Sequence, residues 1–159
     1  MENKLKNKKI VVIGLGYVGL PLALEFSKKY DVRGFDLDKI RIKEITNGYD
    51  RTKEVSRDEF KSADNLEVSS SPESIIDFDI CIITVPTPID KDNNPNLTSL
   101  IKASETVGRV IKLKKHDFRN ERKNNIPIII YESTVYPGAT EERCIPIIEE
   151  ITSLKLNKD

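Results

Sequence analysis

The sequence predicts an α/β domain built on a doubly wound parallel sheet. Three observations predict it. Strand and helix patterns alternate along the chain from about residue 10 to residue 151, the order that folds into right-handed strand–helix–strand units. The run at 80–85 is continuously apolar, as a strand buried on both faces must be. A glycine turn, Gly14-Leu15-Gly16-Tyr17-Val18-Gly19, stands between the first strand and the first helix.

Each element has its own signal. Strand one occupies 10–13, an apolar, mostly β-branched run. Helix one covers roughly 18–29, because Val18, Leu22 and Phe26 recur every four residues. Pro21 falls in its first turn, where a missing N–H costs little. Strand two is near 32–35 and ends in Asp36. A second helix runs from about Lys39 to Asn47, with Gly48 as its C-cap. Ser56 and Glu59 form a capping-box pattern for a short helix. A weak third strand lies at 66–68, and Ser71-Pro72 reads as a cap followed by a first-turn proline. Strand four is 80–85. A helix then begins at Thr98 and reaches about Lys112, with Lys112, Lys114 and Lys115 suiting its C-terminal end. Strand five is 126–131, and a last helix spans 140–151. No internal repeat or low-complexity tract is present.

A chain of 159 residues is long enough for one domain with a core. Lys plus Arg number 26 and Asp plus Glu number 26. The zero balance argues against a nucleic-acid or anionic-membrane binder. The longest apolar runs are a few residues, far below the ~20 that span a bilayer. Residues 1–9 are polar and basic, without the apolar core of a signal peptide, so a cytoplasmic protein is expected. Cys81, in the apolar run of strand four, reads as a small core residue. Cys144 sits in the last helix. Neither has a partner at metal-ligand spacing, so no metal is expected. His116, the only histidine, lies in a charged stretch that reads as a solvated loop.

The glycine turn carries the first functional reading. Gly14 permits the tight turn, Gly16 lets a pyrophosphate approach the backbone, and Gly19 lets helix and strand pack closely. The helix N-terminus then faces the phosphates. Asp36, at the tip of strand two, can accept the ribose hydroxyls of an adenosine and repel a 2′-phosphate, which favours NAD over NADP. An ordinary glycine turn with a surface aspartate is the alternative. Ligands of such sheets bind at the carboxyl ends of the strands. That rule adds 36–41, 84–88 and 132–138, all expected around one crevice. Arg41 can lie against an adenine or reach a phosphate.

These segments together resemble the UDP-glucose/GDP-mannose dehydrogenase family. The matching stretches are Ile13-Gly14-Leu15-Gly16-Tyr17-Val18-Gly19-Leu20-Pro21, Gly34-Phe35-Asp36, Val85-Pro86-Thr87-Pro88 and Glu132-Ser133-Thr134-Val135-Tyr136-Pro137-Gly138-Ala139-Thr140. Val85-Pro86-Thr87-Pro88-Ile89-Asp90 and the run at 136–142 look most like the bacterial branch acting on UDP-N-acetylhexosamines. The resemblance implies a Rossmann domain that binds NAD, within an enzyme for surface polysaccharide such as capsule or O-antigen. Such enzymes oxidise C6 of a nucleotide sugar from alcohol to carboxylate and reduce two NAD. It places Tyr17 and Val18 at the pyrophosphate, and Asp36 and Arg41 on the adenosine side. Val85, Pro86 and Thr87 lie further along the cofactor, with Glu132, Ser133 and Thr134 beyond them. Thr134 matches a threonine near the nicotinamide and the reacting carbon, the one candidate catalytic residue of this chain.

Two departures from the family pattern stand out. Residues 113–125 form a longer and more polar link than the family uses, read as a solvated surface insertion. The sequence also stops at Asp159, before the family's sixth strand, its central helical region and its carboxy-terminal UDP-sugar domain with the nucleophilic cysteine. The expectation is therefore one NAD-binding domain over 1–159, truncated before strand six and inactive alone. It meets a UDP-sugar only with the absent domains. Strand five would be an apolar edge prone to self-association. The family oligomerises largely through the central region, so the oligomeric state of this piece is left open. A non-catalytic NAD-binding module or decayed gene product is the alternative. A short-chain reductase or epimerase is discounted, because Tyr49 and Lys53, which have the Tyr-x-x-x-Lys spacing, precede the third strand.

Overall fold

A computed structural model describes residues 8–63, 65–118 and 127–158. It contains five strands, β1 (Lys9–Ile13), β2 (Asp31–Phe35), β3 (Leu66–Ser69), β4 (Ile80–Ile83) and β5 (Ile128–Tyr131). All pair in parallel, in the order β3-β2-β1-β4-β5. The helices are α1 (Gly19–Ser27), α2 (Lys39–Thr46), α3 (Arg57–Lys61), α4 (Thr98–Phe118) and α5 (Ile145–Thr152). This is the doubly wound Rossmann arrangement. The strand order reverses between β1 and β4, which opens a crevice above their carboxyl ends.

The apolar character of the central strands follows from their burial on two faces. Val11, Ile13, Cys81 and Ile83 join Phe35, Leu100, Val107 and Val110 in one core under α4. Ile10, Val12 and Ile82 point the other way, into a second core with Leu20, Ala23, Leu24 and Val32. Neighbouring residues of one strand serve opposite layers, so no polar position is left in the run. β5 differs. Its Ile129 and Tyr131 pack on the α4 core, whereas Ile128 is 56% exposed. Among the described residues no strand pairs with its far edge.

Several caps stand as expected. Ser56 and Glu59 form the reciprocal capping box of α3. Gly48, just beyond α2, has a φ of +67°. Asp38 is a cap the sequence reading did not single out; its carboxylate accepts from Ile40 N and Arg41 N at the start of α2.

Three expectations need correction. First, α4 does not stop near Lys112 but continues to Phe118, so His116 is helical and not in a loop. The charged residues are good helix formers, and Lys114 Nζ bonds Asp77 Oδ1 at 2.6 Å, which carries the helix past the sheet. Of the predicted 113–125 insertion, 113–118 thus belong to this helix, and 119–125 lie outside the described residues. Second, the segment at 140–151 is not one uniform helix. Thr140–Cys144 forms a wide π turn before α5 begins at Ile145. Pro146 explains the break, because it has no N–H to continue an α-helical ladder. Third, β4 ends at Ile83 and β5 begins at Ile128, so Thr84 and Val85 already belong to the loop above the sheet.

Asp77 ties the end of the sheet remote from the crevice. Lys114 and Lys9 both donate to its carboxylate, which holds its pKa down to about 2. No helix among the described residues is long and apolar enough to cross a membrane.

Candidate functional site

The glycine turn is built from both sides. Gly14 has a φ of +93°, a conformation that L side chains rarely adopt, and its N–H donates to Phe35 O at 2.8 Å. Thr84, directly after β4, donates its hydroxyl to Gly14 O at 2.6 Å. A Cβ on Gly19 would collide with Gly14 O and with Thr84 Oγ1. Gly19 is therefore required for α1 to sit against the turn. A Cβ on Gly16 would meet nothing within 4 Å. The space above Gly16 is open, which is the cradle a pyrophosphate needs. No side chain caps the start of α1, where Val18 holds the cap position. Leu20 N is taken by Gly16 O at 3.1 Å and Pro21 has no N–H, so the helix start meets an anion mainly through its positive dipole end.

Leu15, between the two glycines, is held at both ends of its peptide. Its N–H donates to Asp36 Oδ2 at 2.8 Å, and its carbonyl accepts from Arg41 Nε at 2.7 Å. Asp36 Oδ1 accepts from Asp38 N at 2.9 Å. A carboxylate has about four acceptor positions, so Asp36 retains capacity for ribose hydroxyls.

Arg41 is 3% exposed and Asp50 6%. Arg41 NH2 lies 2.7 Å from Asp50 Oδ1, an ion pair whose geometry is skewed from a linear hydrogen bond. Its NH1 is buried without a hydrogen-bond acceptor, with the Glu44 carboxylate 3.8 Å away. Burial pushes the Asp50 carboxyl up. Hydrogen bonds from Thr52, Arg41 and Val55 outweigh burial and bring it down to about 2. Arg41 therefore supports the glycine turn by holding Leu15 O while its guanidinium pairs with Asp50 at the cavity wall.

A cavity of about 450 Å³ opens above β1 and β4. Gly14, Gly16, Asp36, Arg41, Val85 and Pro86 line it together, six of the predicted site residues. Gly19 stands behind the turn and supports it. Tyr17, 66% exposed, and Val18 project from the start of α1 and are not part of the cavity wall. Thr87, Ser133 and Thr134 form a neighbouring cluster. Thr87 donates its hydroxyl to Thr134 O at 2.6 Å, and Ser133 donates to Val85 O at 2.7 Å. These bonds tie the loops after β4 and β5 together. Glu132 is exposed, and its N–H donates to Ile83 O at 2.9 Å, continuing the sheet register.

Sequence reading missed Arg51, Thr52, Ser99, Lys102 and Thr106, which also line the cavity. Arg51 and Thr52 arrive from the crossover before β3, and the others from α4. None belongs to a local motif. The only available signal was topological, since α4 follows directly after a loop already placed at the crevice.

Residues 8–159 match the model of the NAD-binding domain of the UDP-glucose/GDP-mannose dehydrogenase family. The chain belongs to this family. This dehydrogenase-family domain is 50% identical over 153 residues to protein CapL of Staphylococcus aureus. The match takes in 96% of this chain and 33% of that protein. It is 48% identical to a UDP-N-acetyl-D-glucosamine 6-dehydrogenase of Pseudomonas aeruginosa, over 98% of this chain and 34% of that one. Among solved structures, the NDP-N-acetyl-D-galactosaminuronic acid dehydrogenase of Methanosarcina mazei superposes with a TM-score of 0.80 at 26% identity. That alignment covers 99% of this chain and 34% of the other. The chain thus spans about a third of the length of the curated relatives it matches. Its cofactor is NAD, and the open cradle at Gly16 beside the Asp36 carboxylate fits that group.

Proposed function

We propose that this chain is the cofactor-holding part of a nucleotide-sugar 6-dehydrogenase that acts on a UDP-N-acetylhexosamine. The observation that carries the reading is the shared cavity of Gly16, Asp36, Val85 and Pro86 at the strand-order reversal. NAD supplies the hydride acceptor when bound. The chain's own part is to bind and orient it. Gly14 and Gly16 with the start of α1 receive the pyrophosphate, and Asp36 takes the adenosine ribose. The Tyr17, Val18, Thr87, Glu132, Ser133 and Thr134 positions follow the family's cofactor path, with Thr134 beside the reacting carbon.

Oxidation of a primary alcohol to a carboxylate removes two hydrides and adds one water. The second hydride requires a nucleophile to add to the aldehyde, normally a thiolate. Neither cysteine here is suited to that. Cys81 and Cys144 are buried, and burial pushes both thiols up, away from the thiolate form. The thiol therefore comes from outside these residues, as do the UDP-binding groups. The same reading makes the chain inactive alone, part of an oligomeric cytoplasmic enzyme of polysaccharide synthesis. It touches neither nucleic acid nor membrane. The domain extends over 1–159, with helical and sugar-binding domains supplied elsewhere.

Titration calorimetry of the chain with NAD tests the cofactor site, and a folded sample that takes up no NAD overturns it. Asp36→Ala is expected to weaken NAD by roughly 1–3 kcal/mol, the range for lost charged hydrogen bonds. An unchanged affinity removes Asp36 from the ribose. Unaided oxidation of UDP-N-acetylglucosamine by this chain would contradict the reading of a cofactor half.

A further inference from the structure

Arg51 stands at the cavity rim beside Asp36, where a nicotinamide dinucleotide distinguishes its two forms. It lines the same cavity as Asp36, Leu37 and Asp38. In dinucleotide sites of this fold the carboxylate after β2 takes the ribose 2′-hydroxyl, and a nearby arginine is what accommodates a 2′-phosphate. This chain has both groups. Its arginine, however, is already held. Arg51 Nε donates to Glu44 Oε2 at 2.5 Å, and NH1 donates to Asp38 Oδ2 at 3.1 Å. Asp38 is fixed in turn by its cap bonds to Ile40 N and Arg41 N, at 2.8 and 3.2 Å. Glu44 sits on α2, with Arg41 NH1 3.8 Å away. Two carboxylates therefore hold the Arg51 guanidinium, the group placed to meet a 2′-phosphate.

We propose that Asp38 and Glu44 are specificity-determining residues, which exclude NADP by keeping Arg51 engaged beside Asp36. The proposal rests on the reading that NAD lies in this cavity with its adenosine at Asp36. A 2′-phosphate entering here meets Asp36, and meets Asp38 and Glu44 around a cation already paired with both of them. Removing charge from the two holders lowers the repulsion and frees the guanidinium, whose planar fork matches phosphate oxygens. Arg41 and Lys102, the other cations on the cavity wall, are present in every variant below, and the Arg51→Ala comparison separates their share.

The experiment measures NAD and NADP affinities of the full chain by calorimetry, for wild type, Asp38→Asn, Glu44→Gln and the double variant. Asn remains a good helix cap and Gln keeps the shape of Glu, so both substitutions preserve the backbone. The double variant is expected to bind NADP about tenfold more tightly than wild type, the worth of one charge-assisted hydrogen bond. Adding Arg51→Ala should abolish that gain. An unfolded or loosened protein does not gain affinity, so a purely structural role for these carboxylates cannot produce the result. Asp38→Asn alone, which retains the cap, should show a smaller gain in the same direction. If wild type binds NAD but no variant gains NADP affinity, or if the gain survives Arg51→Ala, this inference is overturned alone. If folded wild type binds neither dinucleotide, the cavity reading falls and takes the inference with it.

Discussion

Gly19→Ala is expected to destabilise this chain by about 3 kcal/mol, the upper part of the range for overpacking a tight contact. Two effects oppose each other. Alanine is the better helix former, and at the first position of α1 it would gain at most about 1 kcal/mol. Against this, the new Cβ lands on Gly14 O and on Thr84 Oγ1. Neither can step aside at low cost. Gly14 O belongs to a turn with φ of +93°, pinned by Gly14 N to Phe35 O, and Thr84 Oγ1 donates to that carbonyl. The steric term wins. Gly16→Ala is the control, because its Cβ meets nothing within 4 Å. That variant should keep its stability within about 0.5 kcal/mol, as an uncrowded surface substitution does. It should nevertheless lose NAD affinity, since the methyl group occupies the cradle. Urea unfolding and NAD titration of both variants check this. Equal stability of Gly19→Ala and wild type would contradict the packing argument, and undiminished NAD binding by Gly16→Ala would contradict the cradle.

The contrast between these glycines shows what the sequence made legible. A motif three residues apart, after a strand and before a helix, specified the turn, the helix start and the cradle, because each glycine answers a local demand. The five strands and their alternation with helices were legible for a similar reason. Burial on two faces leaves β1 and β4 with no polar position, and the sequence displays that directly. The cavity's far wall was not legible. Arg51 and Thr52 come from an irregular crossover, and Ser99, Lys102 and Thr106 from one face of α4. Only the three-dimensional path of the chain brings them to Asp36. The length of α4 was misread because a polar, charged stretch suits a solvated helix as well as a loop. Lys114 decides between them through Asp77, whose place under the helix end no local pattern reveals. Arg41 was found for its charge and position, but its pairing with Asp50 was not legible, because Asp50 lies nine residues on with no periodic relation to it.

That buried pair supplies the second large effect. Arg41→Ala is expected to cost about 3–5 kcal/mol, the range for removing one partner of a buried ion pair. Asp50 would be left charged and buried, and Leu15 O would lose the donor that holds it at 2.7 Å. Asp50 is more than half of a pair. Its Oδ2 also accepts from Glu54 N at 2.9 Å and Val55 N at 3.1 Å, and its Oδ1 from Thr52 N at 3.0 Å. The carboxylate organises the whole turn after α2 and joins it to the glycine turn through Arg41. Its pKa is lowered from 3.8 to about 2. The sign follows from linkage: a carboxylate with a depressed folded pKa contributes stability above its unfolded value and loses it as pH falls through the folded one. For Asp50 this is about 2 kcal/mol, present above pH 4 and lost between about pH 4 and pH 2. Asp77, also held to about 2, titrates in the same window, but it is half exposed and solvent weakens its share. Urea unfolding at pH 6, 4 and 3 separates the two. Asp50→Asn should be less stable at pH 6 and should decline less steeply than wild type between pH 4 and 3. Asp77→Asn should leave most of that decline in place. If Asp50→Asn instead keeps the full wild-type pH slope, the buried pair is not what carries the acid sensitivity.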